Sequence, residues 1–288
     1  MIPPIAARMV ITGMGRAGDG CDPTPFLRQR KLRKFMGRQD DMAVAAAAHA
    51  VASAALGATL GERCGLYMAV GYIPFETADI ERLLDASLDA GRFSMPRFAA
   101  DGFGAINPLL TFRVLPNMPA FHVSLNFDVQ GPYHVAYPGA GQFYTALEEA
   151  FAALAAGAID VALVGAVADQ TNGLVEHHFA RLTPPLPAAD LGNAAAFLVV
   201  EDERGAAERG APIAARLVDY RLAYAPAEPF GGREPRECLA RDGLCAGTRP
   251  CLGPVSLPAA LAATRGARVT HNLRSRDGFD AASVWDVA

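Results

Sequence analysis

Residues 131–165, GPYHVAYPGAGQFYTALEEAFAALAAGAIDVALVG, have the order strand, sharp Gly-rich turn, long Ala-rich helix, strand. A turn of this kind lifts a nucleophile to the mouth of the helix. The chemistry expected there is covalent attack on a carbonyl, which needs a thiolate or hydroxyl with a proton acceptor in reach. The apex offers only Pro138, Gly139, Ala140 and Gly141, and none of them can attack anything. Gln142 follows. His134, Tyr137 and Tyr144 surround the turn, and could hydrogen-bond a ligand or satisfy one another.

Other constellations are weaker. GMGRAG (13–18) matches G-x-G-x-x-G after a strand, but DGCDPTPF follows, with Pro23 and Pro25 where a helix would have to start. A dinucleotide site is therefore not expected, and no cofactor is assigned. His177 and His178 are adjacent, so they do not point the same way on a helix or strand, and no metal site is assigned. The five Cys (21, 64, 238, 245, 251) are odd in number and contain no C-x-x-C pair, which favours reduced thiols over disulfides or zinc.

Elements that would position the turn are legible. RMVITG (8–13), RCGLYMAVGY (63–72), DVALVGAV (160–167) and AAAFLVVED (194–202) read as buried strands. QDDMAVAAAAHAVASAALGA (39–58) and TADIERLLDASLDAG (77–91) read as helices, and FHVSLNFDVQGP (121–132) alternates like a strand. Strands alternating with helices imply a layered α/β fold with a largely parallel sheet. From Tyr224 to Pro254 the chain is rich in Pro, Gly and Arg and reads as a linker or loop. SLPAALAATRG (256–266) is then a helix, and ARVTHN (267–272) and AASVWDV (281–287) are strands. At 288 residues and 51% hydrophobic, the chain suits one large domain or two intimate halves. A net charge of −4 argues against a general nucleic-acid binder. The N-terminal segment does not read as a secretory leader and the Ala-rich runs are too short to span a bilayer, so a cytoplasmic location is expected.

Taken together and in order, several stretches resemble the β-ketoacyl synthases of the thiolase fold. They are VITGMG, KLRKFMGRQDDMAVAAAAHAV, LPNMPAFHVSLNFDVQGPYHVAY, GAIDVALVGAVAD and LGNAAAFLVVEDERGAAERGAPIAARLVDY, which run from about residue 8 to 220. The resemblance implies a layered αβαβα fold in one compact unit. Its near-complete first half covers residues 1–205, and a shortened second half covers 206–288. Counting forward from Gly131-Pro132 or back from Gly157 and Asp160, the family's nucleophilic Cys falls on Ala140. Its other catalytic groups are missing too. The only lysines are Lys31 and Lys34, Pro250 stands where the second His would be, and His271 is not one of the catalytic pair.

The resemblance therefore implies a subunit of the chain length factor type, lacking the Cys and forming a heterodimer with an active β-ketoacyl synthase. Bulky side chains would shape the partner's acyl tunnel in type II fatty-acid-like or polyketide biosynthesis. The Ala at position 140 and the short chain point to aryl polyene-type pathways. Phe93, Met95, Phe98, Phe103 and Phe112 precede the interface segment. One or two of them are expected to line the tunnel; the alternative, favoured for each residue taken singly, is that most fill this chain's own core. The basic run Arg28, Arg30, Lys31, Arg33, Lys34 and Arg38 could meet an acidic acyl carrier protein, or be a solvated segment. Alternative readings are an enzyme with altered thioester chemistry and a homodimeric acyl-binding protein.

Overall fold

A computed structural model describes residues 8–182, 185–224, 236–241, 244–246, 251–275 and 278–288. The first five strands are β1 (Met9–Gly18), β2 (Cys64–Val70), β3 (Tyr133–Ala136), β4 (Val161–Ala168) and β5 (Ala194–Asp202). Between them run α1 (Arg38–Ser53), α2 (Thr77–Ala86), α3 (Met118–Phe127), α4 (Gln142–Ala155) and α5 (Gly173–Ala180). Then come α6 (Glu203–Glu208), β6 (Ala215–Tyr224), β7 (Arg236–Arg241), β8 (Leu244–Ala246), α7 (Ser256–Ala263), β9 (Ala267–Arg274) and β10 (Phe279–Val287).

These strands form one sheet in the order β8-β7-β9-β10-β6-β1-β5-β4-β2-β3. Read outward from the β1–β6 contact, both sides follow the same plan: first, fifth, fourth, second and third strand of the set. The contact itself is narrow, pairing Val10 with Arg216 and Ile11 with Ala215. The sheet is mixed, which corrects the expectation of a largely parallel one. Only β2 lies parallel to its neighbours, β3 and β4, and the other pairs are antiparallel. In the second set the reason is connection length. Residues 242–243 and 275–278 are too few for a crossover, so β7–β8 and β9–β10 are hairpins.

Two apolar clusters define the layers. On one face of β1–β5, α1 and α3 pack through residues such as Val44, Ala47, Val123 and Phe127 against Leu66, Leu163 and Phe197. On the other face lie α4 and α7, whose Phe143, Leu147, Phe151, Leu257 and Leu261 also meet Leu217, Val269, Leu273 and Trp285 of the second strand set. The two sets thus sandwich α4. Each large apolar side chain buried there contributes roughly 1.5–3 kcal/mol. The far face of the second set is turned to solvent. Arg268, Asn272 and Arg274 on β9 and Asp286 on β10 alternate with buried neighbours. Ion pairs cross that face, Arg268 to Asp286 at 2.6 Å and Arg221 to Asp280 at 2.9 Å.

The GMGRAG segment lies inside β1 and makes no phosphate-binding turn. Its glycines serve packing instead. A Cβ on Gly15 would lie 2.2 Å from the Ala46 carbonyl oxygen, and one on Gly13 would lie 2.4 Å from that of Ala50. The Ala-rich α1 therefore rests main chain against main chain on β1. Gly15→Ala is expected to cost roughly 3 kcal/mol, because the obstacle is backbone that cannot rotate away. Urea denaturation would check this.

Four further expectations need correction. Residues 118–127 form a helix rather than a strand: Pro119 stands in its first turn and Asp128, at φ 54°, ends it in the left-handed region. The segment predicted as one helix over 77–91 stops at Ala86 and continues as a small hairpin, Leu88–Asp89 with Arg92–Phe93. The stretch from Tyr224 to Pro254 contains β7 and β8, although 225–235, 242–243 and 247–250, with Pro250, lie outside the described residues. Finally, Cys238 is disulfide-bonded, while Cys21, Cys64 and Cys251 are free. An odd count excludes pairing of all five cysteines but not a single bridge. Among the described residues no helix is long and apolar enough to cross a membrane.

Candidate functional site

The turn between β3 and α4 is built as its sequence implies. β3 ends at Ala136, the Tyr137–Pro138 peptide is cis, and the Gly139 carbonyl accepts the Gln142 N–H at 3.1 Å to open α4. Ala140 is half-buried and packs its methyl group against the central core. Nothing at the apex can form a covalent intermediate. His134 and Gln142 are half-buried, as are Pro138 and Gly139, whereas Tyr137 is 38% exposed.

Tyr144 does not join them at the rim. It is fully buried, with its hydroxyl 2.8 Å from His271 Nδ1 and 2.9 Å from Ser283 Oγ. His271 Nε2 lies 2.9 Å from Glu237 Oε1. A carboxylate can only accept, so Nε2–H donates to Glu237. In the tautomer this assigns, Nδ1 accepts the Tyr144 O–H, and Tyr144 accepts the Ser283 O–H. Every proton in this chain meets an acceptor, and burial pushes the Tyr144 phenol upward. The network ties the helix behind the elbow to β7, β9 and β10. It braces the elbow and offers no free group to a ligand.

A second polar cluster gathers at the ends of β1, β4 and β5. The Asn193 side-chain oxygen accepts the N–H groups of Gln170 (2.7 Å) and Thr171 (3.1 Å), and its amide donates to Asp19 and Thr171. Gln170 Nε2 donates to the carbonyls of Gly192 at 3.0 Å and Cys251 at 2.7 Å. Arg38 pairs with Asp19 at 2.7 Å and with buried Asp169 at 3.4 Å. Burial raises the Asp169 carboxyl to about 6, although Arg38 opposes the shift. A carboxyl raised in the fold keeps a proton that the unfolded chain releases. Its contribution is therefore present below the ordinary carboxylate value of 3.8 and fades as pH rises through about 6. Stability should fall over that window, and Asp169→Asn should flatten the slope by up to about one proton. Thermal melts between those pH values would show it.

The predicted gate residues are not in this chain's core. Phe93 is 52% exposed, Met95 63%, Phe103 69% and Phe112 46%, while Phe98 is half-buried. The expectation that most of them fill the core is thereby corrected. Residues 77–106 fold as an excursion that packs on itself. Phe98 stands between Phe93 and Phe103, with ring centroids 5.9 Å and 6.5 Å away.

The basic run divides in two. Arg33 pairs with Asp41 at 2.6 Å, Arg28 donates to Thr59 at 2.8 Å, and Arg38 belongs to the loop cluster above. Burial raises Asp41 to about 6 against the pull of Arg33. Arg30, Lys31 and Lys34 are exposed, and Lys34 lies 4.9 Å from the Phe35 ring centroid. His178 Nε2 lies 3.2 Å from the Tyr72 hydroxyl. Among the described residues no group of three or more His, Cys, Asp or Glu could hold a metal. Sequence reading missed Glu237, Ser283, Asp169 and Asn193, whose partners are distant in the chain and carry no local signal.

Comparison with known proteins agrees with the fold. Residues 5–202 match the family described as Beta-ketoacyl synthase, N-terminal domain. One similar solved structure is a type II polyketide synthase acyl-carrier protein in complex with its ketosynthase bound to the hexaketide. It has a TM-score of 0.62 and 19% identity, over 76% of this chain and 70% of that one. The ishigamide ketosynthase/chain length factor gives 0.55 and 23%, over 76% and 64%. A β-ketoacyl synthase from Burkholderia phymatum gives 0.55 and 21%, over 77% and 65%. The chain thus spans about two thirds of the length of these structures.

Proposed function

Because this chain belongs to the β-ketoacyl synthase family, matched over the N-terminal domain, we propose that it is a non-catalytic, chain length factor-type subunit that pairs with an active ketosynthase. Ala140 carries this reading: the elbow and its helix are kept, but the attacking atom is a methyl group. Among the residues present, lysine occurs only at Lys31 and Lys34 and Pro250 stands where the resemblance puts the second His, which agrees with it. The role left to such a subunit is steric. Side chains of the 77–106 excursion, with Phe112, would end the partner's tunnel, and an acyl chain stops growing when the next unit no longer fits.

Its exposed aromatic side chains suit burial against a partner. Arg30, Lys31 and Lys34 would meet an acidic acyl carrier protein, with charge steering the encounter. The Ala at position 140 favours an aryl polyene-type pathway. Co-expression with a complete, Cys-containing ketosynthase from the same genome tests the proposal. The two should co-purify, and the product chain length should change when this subunit is left out. A ketosynthase that never co-purifies and makes the same product alone would refute it.

A further inference from the structure

The first turn of α4 is covered from the second strand set. A Cβ on Gly141 would lie 2.5 Å from Cγ and Cδ2 of Phe279 and 2.7 Å from its Cβ. The ring therefore rests directly on the main chain of residue 141, where only glycine leaves room for it. Phe279 opens β10 and is held on several sides. It faces Tyr224 across the β6–β10 ladder, with ring centroids 5.4 Å apart. Its N–H donates to Ser275 Oγ at 3.1 Å, and its carbonyl accepts the Ser275 N–H at 2.9 Å. One helical turn further on, Tyr144 is bonded to His271 and Ser283, which lie on β9 and β10. Strands β9 and β10 thus fix both the ring and the helix it covers.

A thioester attacked from residue 140 would have to bring its carbonyl carbon within about 3–3.5 Å of the attacking atom, at the mouth of α4. The adjoining face of that mouth is filled by an aromatic ring anchored in a β-ladder. We infer that Phe279 is a built-in plug that closes this chain's own elbow to acyl-phosphopantetheine thioesters. The loss of chemistry at this site is then twofold: the nucleophile is gone and its approach is blocked. The chain acts on acyl groups only through a partner and does not hold them itself. This rests on the proposed reading of residue 140 as the former nucleophile position.

A reporter thiol tests the plug. Ala140→Cys is made in the full chain, alone and together with Phe279→Ala, and alkylated with iodoacetamide and with chloroacetyl-pantetheine. Modification is followed by peptide mass spectrometry. Half-exposed Cys21 serves as the rate standard and buried Cys64 as the marker of an intact fold. With Phe279 present, residue 140 should react about tenfold or more slowly than in the double variant, and the gap should be wider for the pantetheine probe. Equal rates in the two backgrounds, with Cys64 still protected, would overturn the inference. If Phe279→Ala exposes Cys64, Phe279→Leu replaces it under the same criterion. A failure to co-purify with a ketosynthase would leave this ratio unchanged, so failure of the partner reading and failure of the plug are distinguishable.

Discussion

Changing Phe93 and Phe103 together to Asp is expected to weaken association with the proposed ketosynthase partner at least ~100-fold while moving the melting temperature by no more than about 2 °C. Both halves of that result follow from exposure. The two rings are 52% and 69% exposed, so their removal opens no cavity in this chain. Aromatic side chains clustered around Phe98 on a self-packed excursion are the kind of surface that supplies most of an interface's binding energy. Two carboxylates there would have to be desolvated without partners. Phe93→Leu should retain most of the affinity, because it keeps the apolar volume. Sedimentation velocity on the co-expressed pair reads the association, and a thermal melt reads the fold. Unchanged association would place the interface elsewhere.

The second large effect is on stability. Arg209→Ala is expected to cost about 3 kcal/mol in urea denaturation. Glu201, near the end of β5, is 2% exposed, and Arg209 meets it with Nε at 2.8 Å and Nη2 at 2.5 Å. Arg209 also donates to the Ala54 carbonyl at 3.0 Å, and Thr12 Oγ1 donates to Glu201 at 2.5 Å. The pair therefore fastens the end of α1 and the start of β1 to β5. Removing the cation leaves a carboxylate in the core with one hydroxyl for company. Most of the loss should be recovered in Arg209→Ala combined with Glu201→Gln, since the penalty comes from the stranded charge more than from the lost contact. If the double variant is as unstable as the single one, the contacts of Arg209 itself account for the cost.

How far this molecule could be read in advance depended on the range of the forces involved. The β3–α4–β4 unit was legible because its apolar periods and Gly punctuation act over a few residues. The buried strands β2, β4 and β5 were legible as unbroken apolar runs. Helix α3 was not: alternation in FHVSLNF imitates a strand, whereas Val123 and Phe127, a turn apart, pack against α1. Side-chain partnerships were the least legible. Tyr144 and His271 are 127 residues apart, and Tyr144 and Ser283 are 139 apart. Arg38 read as a surface cation because its acceptor Asp169 arrives from the loop after β4. Phe93 and Phe103 have the composition of core residues, and only the missing cover above them, which no sequence pattern records, makes them surface.

The uncovered face of the second strand set has a consequence for how those strands find each other. Arg268 stands directly opposite Asp286, and Arg274 opposite Asp280. Asp280 also reaches Arg221 on the next strand. Sliding β9 by a single residue along β10 would separate each of these pairs and turn Val269, His271 and Leu273 outward. A slipped register would still pair the backbone groups, so the side chains have to select the alignment. Here the charges act as alignment marks. Each exposed pair contributes little to stability, and together they select one alignment among several that the hydrogen-bonding backbone would accept.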